Sequence, residues 1–160
     1  MKITYLLTGG NLGDRVKNLA EAERVLAKHC GPVIKRSALY ETAAWGNTQQ
    51  PAFLNQALAL ETKLDPGELI TRILAIETKL GRVRKEKYGP RVIDIDILLY
   101  SNEMIDQPHL KIPHPELQNR RFALMPLAEI AARVLHPLLH KTIAELLSVC
   151  KDELEVKKYS

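Results

Sequence analysis

The sequence is poor in the features that mark secreted, membrane-spanning or zinc-binding proteins. It contains two cysteines, Cys30 and Cys150, which do not form a C-x-x-C pair, so neither a disulfide framework nor a zinc site is expected. No apolar run approaches the roughly 18 residues that a transmembrane helix needs. The run at residues 3–7 is too short for the core of a signal peptide. We therefore expect a cytoplasmic protein with reduced thiols and no membrane partner.

Aromatic residues are also scarce, at 5% of the chain, and the formal net charge is only +4. A charge of this size does not indicate a nucleic-acid partner by itself, so the placement of the charges matters more. A length of 160 residues favours a single domain, which can bury roughly 68–70% of the surface that its unfolded chain exposes. We expect one domain over residues 1–160, and a monomer that needs no structural metal to fold.

The residue patterns along the chain predict a mixture of strands and helices. Strands are predicted at residues 3–8, 33–41, 53–62 and 92–100, a turn at 9–11, and helices at about 14–29 and between the caps Asp65 and Gly81. This βαββαβ order is that of an α+β, ferredoxin-like sandwich of a sheet and helices. The first and last strands would lie centrally, with the helices on one face. Additional C-terminal helices, at about 120–132 and after Thr142, are candidates to cover the other face.

Three helix starts carry clear local signals. Asp14 can cap the first helix with its side chain. Asp65 and Glu68 have the spacing of a capping box, in which each side chain accepts a hydrogen bond from the other residue's backbone. Thr142 and Glu145 have the same spacing before the last short helix. These signals predict where the helices begin independently of the tertiary structure.

Two carboxylates, Asp94 and Asp96, lie in the last predicted strand. Residues two apart in a strand project from the same face, so both carboxylates leave one face while Ile95 and Ile97 leave the other. A bound divalent cation would offset their mutual repulsion, and hard oxygen ligands suit Mg²⁺. An exposed sheet face with solvated acids explains the motif equally well when it is taken alone.

The segment before these acids is strongly basic. Its cations, set against the single acid Glu86, are Arg82, Arg84, Lys85, Lys87 and Arg91. Arginine pairs with phosphate oxygens through two parallel hydrogen bonds. A solvated basic loop or a weak nucleic-acid patch would also account for the segment. Magnesium together with phosphate explains the basic loop and the adjoining acids at once.

Other candidate residues suggest recognition of a flat ring. Asn55 lies among apolar residues, and an amide suits an amide-like heterocycle. Phe53, Tyr88 and Phe122 could stack on such a ring, although packing in the core explains each of them as well. His114 lies between two prolines that restrict its backbone, and taken alone it would be a surface histidine.

The basic loop and the acid pair together resemble a known family. Gly-Arg-Val-Arg-Lys at 81–85, Tyr-Gly-Pro-Arg at 88–91 and Asp-Ile-Asp at 94–96 are similar to the signature of 6-hydroxymethyl-7,8-dihydropterin pyrophosphokinase of folate biosynthesis. Further similarity extends from residue 3 to about 130. The resemblance implies a ferredoxin-like fold and the reaction of ATP with the pterin alcohol, which gives AMP and the pterin diphosphate.

The resemblance also implies roles for individual residues. Two Mg²⁺ ions would lie between the ATP phosphates and the metal ligands Asp94 and Asp96, which would act in catalysis with Arg82 and Arg91. The implied ATP-binding residues are Glu77, Arg82, Arg84, Arg91, Ile97, His114 and Arg120. The implied pterin-binding residues are Thr42, Ala43, Trp45, Phe53, Asn55, Tyr88 and Phe122. The substrates would then be two small molecules, with no nucleic acid involved.

Two other classes of protein remain open on the residues alone. The first is a small ferredoxin-like RNA-binding module that uses the basic loop, although its strands lack the exposed aromatic signature of such modules. The second is a metal-dependent nuclease built on the acid pair. Binding of an ATP analogue followed by a pterin would distinguish the kinase from both.

Overall fold

The computed structural model describes residues 1–43, 50–81 and 92–160. The described strands are β1 (Lys2–Gly10), β2 (Val33–Arg36), β3 (Tyr40–Thr42), β4 (Phe53–Thr62), β5 (Asp94–Tyr100), β6 (Ile105–Gln107), β7 (Leu110–Ile112) and β8 (Val156–Lys158). The described α-helices are α1 (Arg15–His29), α2 (Pro66–Lys79), α3 (Arg121–Ala131) and α4 (Ile143–Ser148). A short 3₁₀ helix covers Leu117–Asn119.

The main sheet has the order β5-β1-β4-β3-β8, and β2 also pairs with β4. Every pairing in it is antiparallel. The predicted ferredoxin-like fold is confirmed, but the central position predicted for the last of its strands is wrong. β5 lies at the edge of the sheet because β4 occupies the other side of β1, so the two central strands of the fold are β1 and β4.

Apolar side chains fill both faces of this sheet. One core joins the sheet to α1 and α2 through residues such as Leu58, Ile73 and Ile95. The other joins it to α3 and α4 through residues such as Leu7 and Leu124. We call these the α1–α2 core and the α3–α4 core. The expectation that the C-terminal helices cover the second face is confirmed, and β4 is buried on both faces as a result.

The predicted capping signals appear as hydrogen bonds. The Asp14 carboxylate accepts from the backbone N–H of Lys17 at 3.1 Å. Both reciprocal bonds of the capping box are present at Asp65 and Glu68, and again at Thr142 and Glu145. Local side-chain chemistry therefore sets these three helix starts.

The predicted turn at residues 9–11 is wrong for the two glycines, because β1 continues through Gly10. Gly9 pairs with Asn55 on β4 and with Asp94 on β5. A Cβ at Gly9 would lie 2.1 Å from Asn55 Oδ1, so glycine is needed here for close approach rather than for a turn.

The strand predicted at residues 33–41 is interrupted, and its two parts, β2 and β3, each pair with β4. Ser37 lies at the interruption. Its backbone N–H donates to the Ala57 carbonyl, and its hydroxyl accepts from the Ala57 N–H, both at 2.9 Å. The Gln56 amide donates to the Ser37 carbonyl at 2.8 Å. These bonds satisfy the backbone where the ladder breaks.

The two cysteines differ in exposure, and this difference predicts their reactivity. Cys30 is 3% exposed, and burial raises the pKa of its thiol to about 11, whereas Cys150 is only half-buried. Because the thiolate is the reactive form, iodoacetamide at mildly alkaline pH should label Cys150 in the folded protein and spare Cys30. Peptide mass spectrometry would measure this, with labelling in urea as the control. Equal labelling of both thiols in the folded chain would contradict it.

Candidate active site

Strand register brings three of the predicted site residues onto one face of the sheet. Gly9 lies between Asn55 and Asp94, and Leu7 lies opposite Asp96. Directly paired residues share a face, and Leu7 belongs to the α3–α4 core. Asn55 and the two acids therefore project toward the α3 side. Asn55 is two strands away from Asp94, roughly 10 Å at ordinary strand spacing.

The two acids suit a magnesium ion bound to phosphate. Both are half-buried, and Ile95 between them is buried in the α1–α2 core. Their Cα atoms are roughly 7 Å apart from strand geometry. Within residues 1–43, 50–81 and 92–160, no group of three or more His, Cys, Asp or Glu side chains could hold a metal. An ion bound by this pair would complete its coordination with phosphate and water oxygens, as Mg²⁺ usually does.

Glu77 on α2 supports the strand segment that carries the acids. It is 5% exposed, and its carboxylate accepts from the backbone N–H of Ile95 at 2.7 Å. Ile95 lies between Asp94 and Asp96. This hydrogen bond therefore holds the backbone between the two acids from the outer edge of β5. The family resemblance implied that Glu77 contacts ATP. In the structure, one of its carboxylate oxygens accepts a hydrogen bond from the backbone of β5.

We expect Glu77→Ala to destabilise the protein by about 1–3 kcal/mol, because the buried Ile95 N–H loses its acceptor. It should also lower kcat, because the acids are less firmly held. Glu77→Gln keeps an acceptor oxygen and should cost clearly less stability. Urea unfolding and steady-state kinetics of both variants would measure these effects. An unchanged free energy of unfolding in Glu77→Ala would contradict the prediction.

His114 lies beside the acids. Its backbone N–H donates to the Leu98 carbonyl on β5 at 3.0 Å, and its Nδ1 accepts from the Glu116 N–H at 3.1 Å. Desolvation lowers the pKa of His114, the charge of Asp96 opposes this shift, and Arg120 adds to it. In the neutral ring the proton is then on Nε2, which makes this atom a hydrogen-bond donor.

The start of α3 brings Arg120 next to Phe122. The Arg120 guanidinium lies 5.7 Å from the centre of the Phe122 ring, within the range of a cation–π contact. Phe122 packs against the α3–α4 core, on the sheet face that carries Asn55. A cation and an aromatic ring therefore lie together at this face.

The remaining predicted pterin residues that the structure describes lie near the ends of β3 and β4. Thr42 pairs with Phe53, and Tyr40 pairs with Asn55. The Tyr40 hydroxyl donates to Glu129 of α3 at 2.6 Å. This bond confirms that Tyr40 and its partner Asn55 project toward the α3 side of the sheet. Phe53 is half-buried and Asn55 is 5% exposed. The described part of the predicted pocket thus lies on one side of the sheet.

Three predicted residues have placements that limit their roles. Thr42 is 5% exposed, and its hydroxyl donates to the Glu155 carbonyl at 2.9 Å. Ala43 is exposed. The Ile97 side chain lies in the α1–α2 core, opposite the acids, so only its backbone is available to a nucleotide. The predictions for Trp45, Arg82, Arg84, Tyr88 and Arg91 lie outside the described residues.

Sequence reasoning missed two polar residues that form hydrogen bonds with residues 50–52, the segment that leads into β4. Asn11 is 2% exposed, and its amide donates to the Pro51 carbonyl at 3.0 Å and to Gln50 Oε1 at 3.1 Å. Arg15 Nη1 donates to Glu41 at 2.6 Å and to the Ala52 carbonyl at 3.0 Å. The available signal for Asn11 was its position directly after a buried strand, which we interpreted as part of a turn.

Comparison with known proteins bears on this arrangement. Residues 5–132 match the family described as 7,8-dihydro-6-hydroxymethylpterin-pyrophosphokinase (HPPK). The chain belongs to the HPPK family. The resemblance noted in the sequence is therefore confirmed, and the matched range covers most of β1 and all of β2 to β7, α1, α2 and α3.

Individual relatives agree with this assignment. The 2-amino-4-hydroxy-6-hydroxymethyldihydropteridine pyrophosphokinase of Aquifex aeolicus is 43% identical over 145 residues, covering 91% of this chain and 90% of its own. The enzyme of that name from Methylorubrum extorquens is 47% identical over 132 residues, covering 82% and 84%. The Bacillus subtilis enzyme is 43% identical over 133 residues, covering 82% and 80%.

Solved structures extend the comparison to the fold. Wild-type HPPK-DHPS from Plasmodium falciparum, crystallised with SDX-DHP, has a TM-score of 0.74 and 18% identity. The match covers 92% of this chain but only 43% of that chain. At such low identity the likeness supports the fold alone. Among the described residues, no helix has the length and apolar character that crossing a membrane would require.

Proposed function

We propose that this chain transfers the pyrophosphoryl group of ATP to the hydroxymethyl group of 6-hydroxymethyl-7,8-dihydropterin, giving AMP and the pterin diphosphate of folate biosynthesis. Membership of the HPPK family supports the reaction class. The observation that carries the site is the register in which Gly9 lies between Asn55 and Asp94. The Asn55 amide therefore shares one sheet face with the carboxylates of Asp94 and Asp96, which supports an acceptor site beside a phosphate site.

In this proposal the acceptor side binds a flat ring. The Asn55 amide would exchange hydrogen bonds with the amide-like edge of the pterin, and Phe53 and Phe122 would stack on its faces. Thr42, Ala43, Trp45 and Tyr88 are the further pterin contacts that the family resemblance implies. The ring would then point its hydroxymethyl group toward β5, because the acids lie on that side of Gly9.

The phosphate side of the site would bind ATP. Asp94 and Asp96 would hold Mg²⁺, of which two ions are expected, and the metal would neutralise charge on the triphosphate. Arg120 and the Nε2–H of His114 would donate to phosphate oxygens. Glu77 would act by holding the backbone of β5. The resemblance adds Arg82, Arg84 and Arg91 as triphosphate contacts, and the backbone of Ile97 as a contact to the nucleotide.

The chemical step would be attack of the pterin hydroxyl oxygen on the β-phosphorus of ATP. The new bond joins that oxygen to the β-phosphorus, and the hydroxyl proton is released to water. The bond from the β-phosphorus to the α,β-bridging oxygen breaks, and AMP leaves with that electron pair. Rate enhancement of this kind rests on positioning and on neutralising charge. We further propose that residues 1–160 act as one domain, as a monomer, in the cytoplasm.

Titration calorimetry can test this function on the intact chain. We expect a non-hydrolysable ATP analogue to bind in the presence of Mg²⁺ and much more weakly after chelation. We also expect 6-hydroxymethylpterin to bind in the presence of the analogue. A single-stranded RNA should bind neither tightly nor in competition with the analogue. Tight RNA binding without any pterin binding would overturn the proposal in favour of an RNA-binding module.

A further inference from the structure

The last ten residues before Ser160 form an extended tail on the body of the protein. This tail, residues 150–159, follows α4 and lies beyond residue 132, where the family match ends. It includes β8, which pairs with β3 at the edge of the sheet opposite β5. Its pairing with β3 therefore lies at the edge of the sheet opposite the strand of the acid pair.

Arg121 fixes the beginning of the tail. Its guanidinium donates to the Cys150 carbonyl at 3.0 Å and to the Asp152 carbonyl at 2.9 Å. Its backbone N–H donates to the Asp152 carboxylate at 3.0 Å. Three hydrogen bonds thus join the tail to the first residue of α3.

The middle of the tail holds β3. Thr42 pairs with Val156, and Glu41 pairs with Lys157. The Thr42 hydroxyl donates to the Glu155 carbonyl at 2.9 Å. β3 has only three residues, so much of its backbone order depends on its two neighbouring strands. The tail is one of these neighbours, and β4 is the other.

The end of the tail reaches Leu39, which directly precedes β3, and Arg15 of α1. Tyr159 N–H donates to the Leu39 carbonyl at 2.8 Å. The Arg15 guanidinium lies 5.4 Å from the centre of the Tyr159 ring. Arg15 in turn donates to Glu41 and to the Ala52 carbonyl. The tail, β3 and the chain entering β4 therefore share one set of contacts.

We propose that this tail is a positioning element for the acceptor side of the active site. It holds β3, and with β3 the segment that carries Thr42, against β4 with its Phe53 and Asn55. The inference rests on the proposed function, because it assigns the pterin to this side of the sheet. Since β8 and β5 are opposite edges of the sheet, releasing β8 from β3 should weaken pterin binding and leave nucleotide binding nearly unchanged.

The ladder provides a matched pair of substitutions. Tyr159 N–H bonds to Leu39, and hydrogen-bonded pairs alternate in an antiparallel ladder. Lys157 N–H therefore faces Glu41, whereas Lys158 N–H faces away. Proline removes the N–H in either case, so Lys157→Pro should release the tail from β3 and Lys158→Pro should not. Lys157→Ala controls for the exposed ion pair of Lys157 with Glu155.

For the Lys157→Pro variant of residues 1–160 we expect faster hydrogen exchange at residues 40–42. We also expect the pterin KM to rise roughly fivefold to tenfold, with the KM for ATP changing by less than about twofold. Lys158→Pro and Lys157→Ala should behave like the unmodified chain. This split between the two substrates is the readout that a general loss of stability would not produce.

If the unmodified chain is active, two results would overturn the inference about the tail while leaving the proposed function intact. One is an unchanged pterin KM in Lys157→Pro despite faster exchange in β3, and the other is an equal rise in both KM values. Absence of pterin-dependent AMP formation by the unmodified chain would instead overturn the proposed function, and the inference with it. The unmodified chain therefore distinguishes the two kinds of failure.

Discussion

Asp94→Asn and Asp96→Asn are each expected to lower kcat by roughly a hundredfold to a thousandfold or more, the range found when a main electrostatic contact is lost. The amide keeps the size of the side chain but removes the charge that a hard cation requires. Both side chains are only half-buried, and the substitutions leave the backbone pairing of β5 unchanged. The free energy of unfolding should therefore change by less than about 1 kcal/mol. Steady-state kinetics over a range of Mg²⁺ concentrations, with urea unfolding, would measure both quantities.

The control for this prediction is Asp106→Asn. Asp106 lies on β6, and its exposed carboxylate accepts from Lys111 at 2.6 Å. Exposed pairs of this kind contribute about 0–1 kcal/mol, so this variant should keep normal kcat. Near-normal turnover in either Asp94→Asn or Asp96→Asn, with a normal Mg²⁺ requirement, would show that the acid pair is not the metal site.

Gly9→Ala is expected to raise the pterin KM strongly, by roughly tenfold or more, equivalent to at least about 1.4 kcal/mol. The added Cβ would lie 2.1 Å from Asn55 Oδ1 and 3.2 Å from Asn55 Cγ, so the amide must turn away from its position. Overpacking of this kind should also cost about 1–3 kcal/mol of stability. Pterin titrations and urea unfolding would measure the two effects.

A double-mutant cycle would isolate the cause. If the alanine acts by displacing Asn55, the double variant Gly9→Ala/Asn55→Ala should bind pterin no worse than Asn55→Ala, and the two effects should be strongly non-additive. Gly67→Ala is the control, because its Cβ would meet its nearest neighbour, Asp65 Oδ1, at an ordinary 3.4 Å. Simple addition of the two single effects would contradict this account of Gly9.

Local chemistry made part of the fold predictable. The capping residues Asp14, Asp65 and Thr142 act within one helical turn, so their sequence spacing was sufficient to place the helix starts. The common face of Asp94 and Asp96 follows from the two-residue period of a strand, which needs no knowledge of neighbouring strands. These predictions depend on contacts between residues close in sequence.

Long-range pairing was the part that the sequence could not supply. The two-residue period gave no information on which strand flanks β5, so its edge position was missed. The register that places Asn55, Gly9 and Asp94 in one row depends on three strands far apart in sequence. The tail strand β8 consists of Val-Lys-Lys, which has no local signal strong enough to predict its pairing with β3.

The most direct test of the proposed reaction follows the β-phosphorus of ATP. ATP labelled at that position would be incubated with the unmodified chain, Mg²⁺ and 6-hydroxymethyl-7,8-dihydropterin, and the products separated by chromatography. We expect one AMP for each pterin diphosphate, with the label in the pterin product and no product after chelation of the metal. Formation of ADP and a pterin monophosphate, or release of AMP that does not depend on the pterin, would contradict it.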